Sequence, residues 1–181
     1  MTDTQWPRWV VLHQETEGDP HRYAGSVHAP DAEIALQNAR DVFVRRPRCV
    51  SLWVVQADRI LARTAEEFAL TPPLPLPQRE EGKKESYYVF QKVGQKGVHQ
   101  HVGEVEAASA EEAMQWAWDS FNHKNALVWW VFPIGEVAKS GPEDVEVYRI
   151  AETKRFRDQG EYHTVATLRK LRERKERNNA R

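Results

Sequence analysis

The sequence predicts an α+β fold: two tandem strand–strand–helix–strand units with antiparallel sheet, related by an approximate two-fold axis. Three observations lead there. The stretch His21–Phe43 returns as His99–Phe121, offset by 78 residues, in a register that holds without a gap from Trp9/Tyr87 to Phe43/Phe121. Twelve of those 35 aligned positions are identical: Val11, His21, Gly25, Val27, Ala29, Ala32, Glu33, Ala35, Gln37, Ala39, Asp41 and Phe43. Self-similarity at one fixed spacing marks a duplicated unit. Within each copy the apolar spacing passes from a strand period to a helix period. A Pro-rich stretch then separates the copies. A fused homodimer would keep its isologous contact, hence the expected two-fold.

In copy 1, Trp9–His13 is apolar and β-prone, and Gly18-Asp19-Pro20 makes a turn. The return strand His21–Ala29 alternates, with Tyr23, Gly25 and Val27 expected on one face. Asp31 is placed to cap a helix whose stripe is Ala32, Ala35, Leu36, Ala39, Val42 and Phe43. That helix should end near Arg45-Arg46-Pro47, because the residue before proline disfavours helix. Cys49–Ala57 reads as a buried strand.

Copy 2 repeats the pattern with strands Tyr87–Val93 and His99–Ala107. Ser109 and Glu112 form a capping box ahead of the stripe Ala110, Ala113, Met114, Ala117 and Phe121. Trp116 and Trp118, two apart, should not both lie on that stripe. The strand Leu127–Phe132 aligns with an offset of 77, pairing Trp53 with Trp130.

The expected organisation is a first unit at 1–69, a linker at 70–85, a second unit at 86–150 and a C-terminal extension at 151–181. The linker's four prolines make it semi-stiff. The stretch Glu143–Val147 (EDVEV) is expected to be a further strand. Val165, Leu168 and Leu171 suggest a short helix that frays into the charged tail. Units of this size are marginal alone, so the copies are expected to share a core or a sheet.

Composition narrows the function. A formal net charge of −1 argues against a general polyanion binder, although residues 167–181 carry a net +5 against −6 for the rest. One cysteine, Cys49, excludes an internal disulfide and fits a reducing cytoplasm. The start MTDTQWPRWVV has no signal-peptide pattern, and no apolar run approaches the ~18 residues that span a bilayer. His99 and His101 share a strand face, and with His21 or His123 would be metal candidates, but no carboxylate or thiolate stands at matching spacing. Cys49 lacks an evident base, and Gly94, Gly97 and Gly103 lack the spacing of a phosphate loop. No catalytic, cofactor or metal residue is therefore assigned.

Seven tryptophans must be buried in the fold or in an interface. Arg45 and Arg46, at the expected helix end, suit a carboxylate- or phosphate-bearing partner; copy 2 has His123 and Lys124 there. The expected partner-binding residues are Arg45, Arg46, His21, Arg22, Trp129 and Trp130.

These residues carry a family resemblance. Trp6-Pro7, the run HRYAGSVHAPDAEIALQNARD, Arg45-Arg46 and CVSLWVV resemble the PaaB family, the B subunits of the bacterial multicomponent phenylacetyl-CoA epoxidase, over nearly all of residues 6–65. Ala151–Thr164 resembles the family's C-terminal segment, so the chain is similar to a tandem version. The resemblance implies a non-catalytic structural subunit, in a cytoplasmic complex that epoxidises the aromatic ring with dioxygen. A separate di-iron oxygenase subunit and its structural partner subunit would be its partners, with no membrane, no nucleic acid and no cofactor of its own. A homo-oligomer, a ligand pocket or enzyme site between the repeats, and nucleic-acid binding by the basic tail remain as alternatives.

Overall fold

In the computed structural model the described residues are 5–44, 48–70, 84–121, 126–152, and the single positions 169, 170 and 173. Copy 1 contributes β1 (Arg8–Gln14), β2 (Arg22–His28), α1 (Ala32–Phe43), β3 (Ser51–Gln56), β4 (Leu61–Thr64) and α2 (Ala65–Leu70). Copy 2 contributes β5 (Glu85–Val93), β6 (His99–Ala107), α3 (Ala110–Ser120), β7 (Ala126–Pro133), β8 (Ala138–Lys139) and α4 (Asp144–Glu152). The α+β class and the antiparallel sheet are as the sequence predicts. No helix among the described residues is long and apolar enough to cross a membrane.

Local chemistry explains the shared elements. Asp31 accepts from the Ile34 amide (2.9 Å), and Ser109 accepts from the Glu112 amide while Glu112 accepts from the Ala108 amide. Both satisfy orphan donors of a first helical turn. Gly25 and Gly103 are there because a ring lies on them. A Cβ on Gly25 would sit 2.6 Å from Phe43 Cζ, and one on Gly103 would meet Phe121 as closely. The two identical Gly–Phe pairs thus record one packing solution used twice.

All eight strands form a single antiparallel sheet ordered β4-β7-β5-β6-β2-β1-β3-β8. Exchanging each strand for its duplicate reverses this order onto itself, which is the pseudo-two-fold. The axis passes the β2–β6 pairing, where Arg22 opposes Gln100, its own counterpart 78 residues on. At the ends the copies trade strands. β4 of copy 1 pairs with β7 of copy 2, Leu61 opposite Val131 and Ala62 opposite Trp130. β8 of copy 2 pairs with β3 of copy 1, Val54 opposite Ala138 and Trp53 opposite Lys139.

The trade builds the cores. Under α3 lies a cluster of Tyr87, Val89, Ala113, Met114, Trp129 and Val131 that also contains Phe68, from α2 of the other copy. Under α1 lies the matching cluster of Trp9, Val11, Ala35, Ala39, Leu52 and Val54, which contains Tyr148 from α4. A third cluster (Val10, Leu12, Trp53, Val55, Tyr88, Phe90 and Phe132) occupies the other face of the sheet. Trp53 on β3 and Tyr88 on β5 are four strand intervals apart, about 19 Å in a flat sheet. Their rings stack at 4.6 Å. The sheet therefore folds over along the β2–β6 seam and closes its inner face on this cluster, with α1 and α3 outside.

Three local expectations change. The stretch 143–147 is no strand: Glu143 lies in a turn and Asp144 opens α4, and while the alternation of EDVEV is ambiguous, the three-residue step from Val145 to Tyr148 decides it by bringing Tyr148 to the core at 4 % exposure. A β-bulge at Ala24, between the Val11 and Leu12 pairings, splits the expected face, so Tyr23 turns inward while Gly25 and Val27 face α1. Val42 is 59 % exposed; Phe43 packs on the core as expected, and the C-cap residue Val44 is buried there in place of Val42. As expected, Trp116 and Trp118 are not both on the buried stripe of α3, which is Ala113, Met114 and Ala117; each is half-buried against the edge of the copy 2 cluster, where Phe68 of α2 meets Trp118 at 4.2 Å. The proline-rich stretch, residues 45–47 and almost all of the C-terminal extension lie outside the described residues.

Two outcomes are expected in urea titrations. Phe68→Ala should lower the unfolding free energy by about 3–5 kcal/mol, since it opens the core of the copy to which it does not belong in sequence. Gly25→Ala should cost about 1–3 kcal/mol by overpacking against Phe43.

Candidate functional site

The seam between the copies gathers most of the chain's unusual side chains. The bulges in β2 and β6 turn His21, Tyr23, His99 and His101 onto the inner face, where β3 and β7 present Trp53 and Trp130. His21 stacks on Trp53 with ring centroids 3.6 Å apart, and His99 stacks on Trp130 at 3.5 Å. Tyr23 meets Trp130 edge-on at 5.4 Å, and its counterpart His101 meets Trp53 at 6.0 Å. The His101 amide donates to the His21 carbonyl across the seam at 2.9 Å.

The two halves differ in their polar partners. His21 Nε2 lies 3.0 Å from Ser51 Oγ. The position equivalent to Ser51 is Val128, and the buried His99 Nε2 has no hydrogen-bond partner among the described residues. Lys139 Nζ donates to Tyr88 Oη at 2.7 Å and sits 4.7 Å above the Trp53 ring. The equivalents of Tyr88 and Lys139 are Val10 and Ala62, so the other half has neither group.

Burial governs the charge state of the seam. It pushes His21 down to about 3, helped by the neighbouring His101 and Lys139, and His99 down to about 4, helped by Lys92. His13 and His101 are lowered for the same first reason. Ser51 and His21 have the contact of a nucleophile with its base, but an imidazole with a pKa near 3 is a very weak proton acceptor. Cys49 is buried and its thiol is pushed up to about 11, far from a thiolate nucleophile. Among the described residues no group of three or more His, Cys, Asp and Glu side chains is placed to hold a metal ion. His99 and His101, on one strand face, are turned to different tryptophans.

The residues singled out from sequence divide between several places. His21 and Trp130 both lie at the seam but in opposite halves, His21 stacked on Trp53 and Trp130 on His99, and the half-buried Arg22 pairs with Gln100 at the axis. Trp129 faces the other side of the sheet, 1 % exposed between Phe68 and Trp118. Arg45 and Arg46 lie outside the described residues. Sequence reasoning missed Trp53, Tyr88 and Lys139 as members of the seam. A signal existed: the repeat aligns His21 with His99 and Trp53 with Trp130, which makes two matching His–Trp pairs.

A family model described as Phenylacetic acid degradation B matches residues 5–73 and again 83–169, one match for each copy. The chain belongs to this family. The second match runs through Ala151–Thr164, the segment that resembles the family's C-terminal part. A relative from Escherichia coli (strain K12), described as the B subunit of 1,2-phenylacetyl-CoA epoxidase, is 43 % identical over 67 residues. That span is 37 % of this chain and 70 % of the relative. No solved structure matches the chain.

The lowered imidazole values set a pH dependence. The unfolded chain takes up protons at the ordinary histidine value near 6.5, while the folded chain resists until about 4 for His99 and 3 for His21. Their neutral forms therefore give full stability above about pH 6.5, and it drains as the pH falls toward these values. Each group contributes up to ~1.4 kcal/mol per pH unit in that window. Urea unfolding between pH 7 and 4.5 should show this loss. His99→Phe, which keeps the stack on Trp130 and removes the proton site, should make the dependence shallower.

Proposed function

We propose that this chain is a non-catalytic structural subunit of a cytoplasmic phenylacetyl-CoA epoxidase complex in aerobic phenylacetate breakdown. In this reading it bridges the di-iron oxygenase subunit and that subunit's structural partner. The observation that carries the proposal is the 43 % identity over 67 residues to the B subunit of an epoxidase, together with a family match in both copies. The chemistry of the seam supports it. The His21 and His99 imidazoles are stacked on indole rings and held neutral, the Cys49 thiol is buried, and the Ser51–His21 contact lacks basicity. These properties suit a rigid core and not a proton-transfer site.

The contact with the oxygenase is assigned to Arg45 and Arg46. A role limited to a helix dipole would be served equally by lysine, whereas arginine offers a planar fork that binds a carboxylate through two hydrogen bonds. Copy 2 carries His123 and Lys124 at these positions, so copy 1 is the side that makes this contact.

The test is co-purification with the di-iron oxygenase subunit, followed by affinity measurement. Arg45→Ala with Arg46→Ala should change stability by less than about 1 kcal/mol. The same variant should weaken binding by about 2 kcal/mol or more, close to 30-fold. A variant that melts much earlier yet binds normally would move the contact elsewhere, and wild-type chain that fails to co-purify would sink the structural-subunit reading.

A further inference from the structure

The inner core joins the two copies, and the copies do not contribute equally to it. Val10, Leu12, Val55 and Ala57 of copy 1 stand opposite their own counterparts Tyr88, Phe90, Phe132 and Ile134 of copy 2 in the pseudo-symmetry. At all four positions copy 2 carries the larger side chain. Ile60/Val137 and Tyr23/His101 run the other way, by about a methylene and by one ring type. The two faces are in direct contact, since Trp53 of copy 1 stacks on Tyr88 of copy 2. Leu12, Val55, Phe90 and Phe132 are each 0 % exposed, so a misfit at any of them has no route to solvent.

We propose that this division of sizes selects the partner of each unit. The inner face of copy 1 accepts a unit of the same fold with aromatic inner side chains, and copy 2 of the same chain is that unit. Two copy 1 faces brought together would leave cavities where the Tyr and Phe rings belong. Two copy 2 faces would overfill the same space. Correct pairing is favoured by the difference between these outcomes, and the wrong pairs are rejected by misfit. Such selection is needed because the duplicated strand edges and exchanged arms would otherwise fit either unit. The inference is independent of which complex the chain serves.

The test uses three full-length variants. Leu12→Phe with Val55→Phe makes both faces large, Phe90→Leu with Phe132→Val makes both small, and all four changes together exchange the sizes across the seam. Each one-sided pair should lower Tm by about 5–10 °C. The four-change chain should recover at least half of the summed loss. In a second experiment the all-large and all-small chains are mixed and refolded together. A two-chain species that melts above either variant alone is expected, because each large face then meets a small one. Additive losses in a folded four-change chain overturn the proposal. If that chain does not fold, the mixture decides: variants that stay as separate single chains overturn it equally.

Discussion

Two short arms that cross between the copies hold this molecule together. Each is a strand and a helix, and each delivers one aromatic side chain, Phe68 or Tyr148, to the core beneath the opposite copy's main helix. Neither main-helix cluster is complete without it. The constraint follows from size: a unit of some 70 residues buries too little surface to be secure alone, and mutual exchange of edge strands enlarges the core without lengthening the unit. It also occupies one edge of β7 and one edge of β3, each of which would otherwise end the sheet with unpaired backbone groups.

The exchange determines what the inner face can be. With the ends locked, the sheet folds over at the β2–β6 seam and its second face is buried as well. Side chains that a two-layer unit would leave half wet become the walls of a shared core, and this is where His21, His99 and His101 lie. Burying an imidazole in its charged form would be costly, so the folded state keeps it neutral and stacks it on indole. Ser51 hydrogen-bonds one of the two stacked rings, and no equivalent hydroxyl serves the other.

Duplication within one chain released the copies from identity while their geometry was kept. Positions that set the fold stayed the same, as the Gly–Phe pairs show. Positions on the inner face diverged in size, and one half of the seam acquired the Lys139–Tyr88 contact. The family match to each copy and the divergence between them are therefore compatible: one concerns the frame, the other what the frame presents.

The sequence alone determined the frame. Capping by Asp31 and Ser109, the helical stripes, the turns and the repeat register are set by neighbours within a few residues, and such short-range terms survive in the bare chain of letters. It also contained the capping contact of Thr64 with Glu67 that opens α2, although nothing in the apolar periodicity drew attention to it. Only the tertiary structure decided where that helix and its strand belong. The pairing of Ala62 with Trp130, or of Trp53 with Lys139, joins residues far apart in sequence through backbone hydrogen bonds that carry no side-chain signature. The bulges that turn Tyr23 and His101 inward, the enclosure of Trp129 behind Phe68 and the helical state of residues 144–152 follow from those pairings. Each depends on which surface a residue meets, and that surface exists only once the arms have crossed.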